Sequence, residues 1–371
     1  MAFQISFAGS LGVELARITN EQLDFALGCL ELIAESSPNS DVEVAIHEFR
    51  KTTKKLRAIF RMMRSALPEG VYASWMAILR SASAELSVSR DATVLEQHLR
   101  EAYQAICPEA DLAGKPWRNL TLFASYKDQA MSERSAMQVG HVRAELLALK
   151  AQVADLGFEQ VGFSQLLEGH RQSFKQARQL LSRLRAPYPE PTLHEFRKRT
   201  KDTLYQLRLL TKLSPRKLQK EQSRFEQLSE TLGLLHDLLG LRSAIECART
   251  SSCVVKELPG LLDYVLGRIT RLERRALRFG SKLFRETPKK RSRRLADCYY
   301  ATLRALHRRA MEKAAAPDPL PRLAKVVRLP ATTLKKCGAQ AAAPNPTRRS
   351  HSMIRLAAHA THSTVSARMS P

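Results

Sequence analysis

Two segments of this chain begin with the same four residues, His-Glu-Phe-Arg, and then crowd cations onto a single helix. The first reads HEFRKTTKKLR from His47, and the second reads HEFRKRTKDTLYQLR from His194. At 100° per residue, His47, Arg50, Lys54, Arg57, Arg61 and Arg64 share an arc of about 100°. Phe49, Leu56, Ile59, Phe60, Met63 and Leu67 fall on the other side, so each face has a use only if the segment is an amphipathic helix. In the second copy His194, Arg197, Lys201, Arg208 and Lys212 line up in the same way. Tyr205 lies among them, and Leu204 stands where Arg57 stands in the first.

The likeness extends beyond the two openings. Each copy follows an amphipathic helix (11–35 and 163–185) and precedes an apolar segment carrying an aspartate, LSVSRDATVLEQHL and LGLLHDLLGLRSAI. Asp91 follows His47 by 44 residues, and Asp237 follows His194 by 43. A duplicated unit of about four helices explains this economically, with short loops making antiparallel neighbours. Elsewhere Leu, Ala, Glu, Arg and Lys recur at three-to-four spacing, glycine is scarce at 15 residues, and β-branched clusters are few. The chain therefore reads as all-α. Helices are expected near 11–35, 41–66, 71–88, 91–105, 119–153, 163–185, 192–213, 217–238, 240–250 and 259–284, with one more over 292–314.

Charge narrows the choice of partner. The chain holds 60 Lys and Arg against 36 Asp and Glu, a net charge of +24. Residues 281–371 alone carry 20 of the basic residues and 4 of the acidic ones. Such an excess implies a polyanionic partner: nucleic acid, an anionic membrane surface or a phosphate polymer. A basic helix face is most often just solvated, but solvated faces usually interleave carboxylates, since pairs one turn apart add a few tenths of a kcal/mol and like charges cost as much. Glu48 and Glu195 lie off the stripe, so the stripe itself is expected to be carboxylate-free and to take anions. A further row, Arg171, Lys175, Arg178 and Arg185, lies on the helix before His194 and is expected to line the same surface.

The two histidines lack the spacing of a metal site, and no phosphate-binding glycine loop accompanies them. Each is read either as a hydrogen-bond donor to a phosphate oxygen or as a structural histidine beside the stripe. The six cysteines are scattered, with no zinc spacing and no disulfide framework. The N-terminus lacks a signal peptide pattern and no run is long enough to span a bilayer, so a cytoplasmic protein is expected. After about residue 300, proline- and alanine-rich stretches such as AAAPDPLPRL and CGAQAAAPNPTRRSHS offer little core, and 301–371 is read as a basic, largely disordered tail.

These motifs resemble the CHAD family, the conserved histidine α-helical domain. Its pattern His-x-x-Arg-x-x-x-Lys-x-x-Arg is matched by His47, Arg50, Lys54 and Arg57. The second-half wording is matched by His194, Arg197, Lys198, Lys201 and Tyr205. SRDATVL and LGLLHDLLGL are similar to the family's aspartate segments, and LEGHRQSFKQARQLL to its helix before the second histidine. The resemblance covers about residues 3–300, in halves of 3–153 and 154–300. It implies two pseudo-symmetric four-helix bundles of long antiparallel helices around a basic central cavity. It also implies binding of inorganic polyphosphate without catalysis and without a cofactor, at polyphosphate granules or elsewhere in the cytoplasm. The expected contacts are His47, Arg50, Lys51, Lys54, Arg57, Arg61, Arg171, Lys175, Arg178, His194, Arg197, Lys198, Lys201 and Arg208. Nucleic-acid binding through the stripes and tail is the second reading, although aromatic residues for base stacking are few. An enzyme acting through a phosphohistidine, or a polyphosphatase, would need carboxylates near the stripe. Asp91 and Asp237 are the candidates, and each more often pairs with a local arginine or caps a helix.

Overall fold

The computed structural model of the chain describes residues 3–35, 40–86, 88–108, 136–184, 188–250 and 258–315. Among them there are ten α-helices and no strand: α1 (Leu11–Glu35), α2 (Ser40–Met63), α3 (Val71–Glu85), α4 (Val88–Ile106), α5 (Ala136–Leu156), α6 (Phe163–Arg183), α7 (Glu190–Leu209), α8 (Pro215–Thr250), α9 (Leu258–Leu283) and α10 (Pro288–Ala315). Single 3-10 turns extend α2 and α7. No described helix is long and apolar enough to cross a membrane. The compact unit runs from Met1 to Ala316, so α10 carries the helical body past the expected boundary at 300. The part of the expected 119–153 helix before residue 136 and the tail beyond residue 315 lie outside the described residues.

Helix α8 corrects one expectation. Residues 215–250 form a single helix where two were expected, separated near Gly240. An interior glycine costs about 1 kcal/mol relative to alanine. Leu238, Leu239, Leu241 and Ile245, all buried, offset that cost by burial on both sides of it.

In the first half α1 packs on α2 and α5, and α3 packs on α2 and α5, which closes a ring of four helices. Helix α4 leaves that ring and lies mainly on α8 and α9. In the second half α7 sits between α6 and α8, α8 packs on α9, and α10 packs on α6. The halves join where α2 meets both α6 and α7. Phe49, Leu56, Ile59, Phe60 and Met63, the apolar face of α2, are fully buried. The amphipathic pattern thus places the stripe on the opposite side of the same helix.

The α2–α6 crossing is close because α6 carries Gly169 there. A Cβ at Gly169 would lie 2.2 Å from the Met62 carbonyl oxygen. One residue along, His170 is fully buried in a polar hub. Its Nδ1 lies 3.2 Å from Gln206 Oε1, and its Nε2 accepts from Arg291 Nε at 2.9 Å. Gln206 donates to the Ala58 carbonyl at 3.2 Å and to Ser173 Oγ at 3.0 Å. Arg291, itself buried, also pairs with Glu221, lies over Phe174, and comes from α10. The acceptor role of Nε2 places the imidazole proton on Nδ1, facing Gln206 Oε1. Burial, and then the neighbouring Arg291 charge, push the His170 pKa down to about 3, so the ring is neutral.

This hub makes stability depend on pH. An unfolded histidine titrates near its ordinary value of about 6.5, so between there and about 3 the unfolded chain binds the extra proton. Stability is then lost as pH falls through that window. His170→Gln keeps an acceptor for Arg291 and removes the titration. Urea unfolding of this variant from pH 7 to pH 5 should show a flatter decline than the parent, and an unchanged slope would mean that His170 is not held neutral.

Candidate functional site: a basic cleft where two helices cross

Helices α2 and α7 run antiparallel. At one end Arg61 Nη1 donates to Asp202 Oδ1 at 2.9 Å. At the other, Lys55 and Glu48 lie close enough to Arg208 and Tyr205 for each charge to affect its neighbour's titration. Along this pair α2 carries Arg50, Lys54 and Arg57, and α7 carries Lys201 next to Asp202, all four cations half-buried. Leu204, in the place of the missing cation, is buried in the core, and Tyr205 beside it is buried with a raised pKa, chiefly from burial.

The densest charge gathers around Arg57. Burial lowers its pKa first, and the charges of Arg61, Arg199 and Arg80 lower it further, while Asp202 opposes them. Asp202 is buried and shared: Oδ1 takes Arg61, and Oδ2 accepts from Arg199 at 2.9 Å. Glu195, 3.5 Å from Arg199, is the next carboxylate outward. Arg57 Nε is buried with no hydrogen-bond partner. A cavity of about 420 Å³ opens beside this cluster, lined by Arg61, Arg64, Arg183 and Arg199 with the amides of Gln172 and Gln176. Arg64 lies over the Tyr72 ring at 4.9 Å. The geometry can hold an extended anion by charge-assisted hydrogen bonds.

Not all the expected contacts share this environment, and the carboxylate-free stripe needs correcting. Arg61 is held by Asp202, and Arg208 pairs with Glu226 at 2.6 Å while lying over Tyr205. Lys51 pairs with Glu48 at 3.0 Å and Lys198 with Glu195 at 2.7 Å, the same one-turn pair in each copy of the motif. Arg171 is held by both oxygens of Glu168 at 2.8 Å. Lys51, Lys198 and Arg171 are neutralised by an acid one turn away on their own helix, whereas Arg61 and Arg208 are met by an acid from a neighbouring helix that the wheel of a single helix leaves out. The α6 row is also on another surface. Arg171, Lys175 and Arg178 line a groove with the start of α10 rather than the α2–α7 cleft, and the side chain of Arg185 lies outside the described residues.

The histidines differ. His47 is exposed, with Nε2 4.0 Å from Glu48. His194 is half-buried with its ring 5.1 Å from that of His236, in a cavity of about 390 Å³ also lined by Arg197 and Leu235. Burial lowers the His194 pKa, and Lys198, His236 and Arg197 add to the effect. Asp237 was expected to pair with an arginine or cap a helix. Asp237 Oδ1 meets His236 Nδ1 at 3.2 Å, Oδ2 lies 3.9 Å from His98 Nε2 on α4, and Arg197 lies within electrostatic reach. Burial would raise the Asp237 pKa, but His236, His98 and Arg197 hold it well below the usual carboxylate range. The side chain of Asp91 lies outside the described residues. Sequence reading missed Asp202, Arg199, Arg183 and His98. Asp202 had a legible signal, an acid inside a basic run, but its partner on α2 is 141 residues away in sequence. On α3 and α5, Glu85, His141 and Glu145 bring three potential metal-ligating atoms within 4.8 Å of one another.

A model of the CHAD domain matches residues 25–246, from within α1 to near the end of α8. The chain belongs to the CHAD family. The crystal structure of the CHAD domain from the plant Ricinus communis is similar at 18% identity, covering 76% of this chain and 93% of that one, with a TM-score of 0.46. No curated protein matches the chain. Within this CHAD domain both halves of the motif lie inside the matched span, whereas α9 and α10 lie beyond it.

Asp202 is the test of the electrostatics. Asp202→Asn takes away the charge that Arg61 and Arg199 share, and breaking a buried pair of this kind costs about 3 kcal/mol. Urea unfolding at low ionic strength should show a loss of that order, partly recovered when sulfate is added. A variant as stable as the parent would mean that the cluster does not repel itself.

Proposed function

We propose that this chain binds inorganic polyphosphate along the cleft between α2 and α7, holding the polymer without hydrolysing it. One observation carries the reading: Arg61, Arg80 and Arg199 all lie within electrostatic reach of half-buried Arg57, with Asp202 shared by Arg61 and Arg199, and a cavity opens beside them. Membership of the CHAD family, which is associated with polyphosphate binding, supports it. In this reading Arg50, Lys54 and Arg57 act from α2, and Arg197 and Lys201 from α7. The finer architecture we propose is a pair of pseudo-symmetric bundles with these cations turned to a shared basic cavity. The place of action is the cytoplasm, at polyphosphate granules.

The chemistry follows from the ligand. Polyphosphate has a repeating negative charge and oxygen acceptors and nothing else to recognise, so rows of arginine and lysine at fixed rise suffice. Arginine meets phosphate oxygens with two parallel donors, and lysine acts as a point charge. Rigid helices hold the cations in place before binding, which lowers the ordering cost. Anions bound beside His47 and His194 favour the protonated imidazoles, so binding takes up protons and tightens as pH falls toward 6.

The experiment is a titration of full-length protein with long-chain polyphosphate at two salt concentrations, for the parent and for Arg50→Ala/Lys54→Ala/Lys201→Ala. Affinity should fall at least tenfold in the variant. By analogy with single-stranded nucleic acid, the slope of log affinity against log salt should shrink by roughly 0.7 for each phosphate contact removed. Equal affinity for parent and variant would refute the cleft. Displacement of the polymer by duplex DNA at equal charge would favour a general polyanion binder, and phosphate release with magnesium or manganese would make the protein an enzyme.

A further inference from the structure

The α6 row that the cleft leaves out has a site of its own. Arg171, Lys175 and Arg178 form one wall of a groove of about 550 Å³, and Thr287 and Lys289, at the turn between α9 and α10, form the other. Measured from Gly169 at 100° per residue, Ser173 lies at about 40°, whereas Arg178, Arg171 and Lys175 lie at about 180–240°. Gly169 and Ser173 face α2 and Gln206 of α7, so the groove occupies the other side of α6. Gln179 lines both this groove and the 420 Å³ cavity, so the two surfaces adjoin at that residue, while the groove cations point away from the Gly169–Ser173 face.

Charge in the groove is poorly compensated. Glu168 holds Arg171 at its outer end. Arg178 donates from Nε to the Phe284 carbonyl at 3.1 Å, which fixes its guanidinium toward the α9–α10 turn. Lys175 and Lys289 are exposed. The turn concentrates more cations: Lys282, Arg285, Lys290 and Arg293 are also exposed, and the first turn of α10 has no acidic residue. Glu286, the acid in that turn, is taken by Arg294 at 3.0 Å. Cations at a helix start oppose the helix dipole and repel one another, each such contact costing some tenths of a kcal/mol. An anion in the groove would reverse all of these terms together. The α9–α10 turn also lies beyond the span matched by the family.

We propose that this groove is a second phosphate-polymer site, independent of the cleft, so that one molecule holds two segments of polyphosphate and ties separate chains together. The inference rests on the reading of the ligand as polyphosphate. The groove cations lie on a different face of α6 from the side chains that line the cavity, with only Gln179 common to both, and bivalent binding to a long polymer produces crosslinks. The groove recognises linked phosphates through charge and oxygen acceptors, as the cleft does.

The test uses the full chain and Lys175→Glu/Lys289→Glu, which reverses charge at two exposed positions. Calorimetric titration with inorganic tripolyphosphate at low salt should give two equivalents per parent chain and one for this variant. One is also expected for Arg50→Ala/Lys54→Ala/Lys201→Ala. With long-chain polyphosphate, the parent should scatter light most strongly near charge balance, and the groove variant should lose at least tenfold of that signal while still binding the polymer. Two equivalents and full scattering from the groove variant would overturn the proposal, as would a single equivalent in the parent that the groove variant retains. If the cleft variant bound normally and the groove variant not at all, the groove would stand and the cleft would fail.

Discussion

The crossing of α6 over α2 and α7 sets the spacing on which everything else in the molecule depends. Gly169 lets the α6 backbone approach the carbonyl at Met62, and His170 and Gln206 beside it are fully buried, so their polar groups need partners within the protein. Gln206 meets the demand from three directions, with bonds to Ala58, Ser173 and His170, and His170 passes the connection to Arg291. A charged imidazole could not serve here, because both its nitrogens would be donors and Arg291 would lose its acceptor. One neutral ring therefore links α2, α6, α7 and α10. The antiparallel alignment of the two cationic helices, and so the meeting of their basic faces, is a consequence of this buried hub.

Electrostatics then divides the cations into two groups. Lys51, Lys198, Arg171 and Arg208 each pair with a carboxylate in partly exposed positions, where such pairs contribute 0–1 kcal/mol and cost little to break. Arg61 and Arg199 are different, since Asp202 is buried and each leans on it. Asp202 lowers the positive charge of the cluster enough for α2 and α7 to pack, without cancelling it. Arg57 lies next to this arrangement with a guanidinium lowered in pKa by burial and by its neighbours, which means that the fold carries uncompensated charge at a half-buried position.

Much of this was legible in the sequence for identifiable reasons. The three-to-four spacing of Phe49, Leu56, Phe60 and Met63 assigns both the helix and its buried face, and the doubled His-Glu-Phe-Arg motif marks the two helices that meet. Helix ends followed breakers such as LPEG and LSPRK to within a few residues. The expected gap between 238 and 240 is absent because the glycine there weakens a helix without ending it when leucines on both sides are buried. The carboxylate partners that come from a second helix were illegible because each wheel considers one helix, whereas Asp202 reaches Arg61 and Glu226 reaches Arg208 from another. The position of α4 on α8 and α9 escaped for the same reason, and with it the contact between His98 and Asp237. Periodicity reports which face is polar but not which other element that face will find.

A cluster that raises the energy of the empty protein also sets the sign of its response to an anion. Whatever binds the folded state and not the unfolded chain stabilises it by RT ln(1 + [L]/Kd), about 2.7 kcal/mol at a ligand concentration one hundred times Kd. Under the proposed reading, a bound anion would relieve the repulsion that Arg61, Arg80 and Arg199 exert on Arg57, so that repulsion would enter the affinity as energy already spent in folding. The apolar faces of α2 and α7 are what make that expenditure tolerable, because Phe49, Phe60, Phe196 and Leu207 are fully buried behind the charges. Replacing Arg61 and Arg199 with neutral residues would leave Asp202 buried without its partners, so the packing of the helix pair and its cationic face are coupled through that one carboxylate.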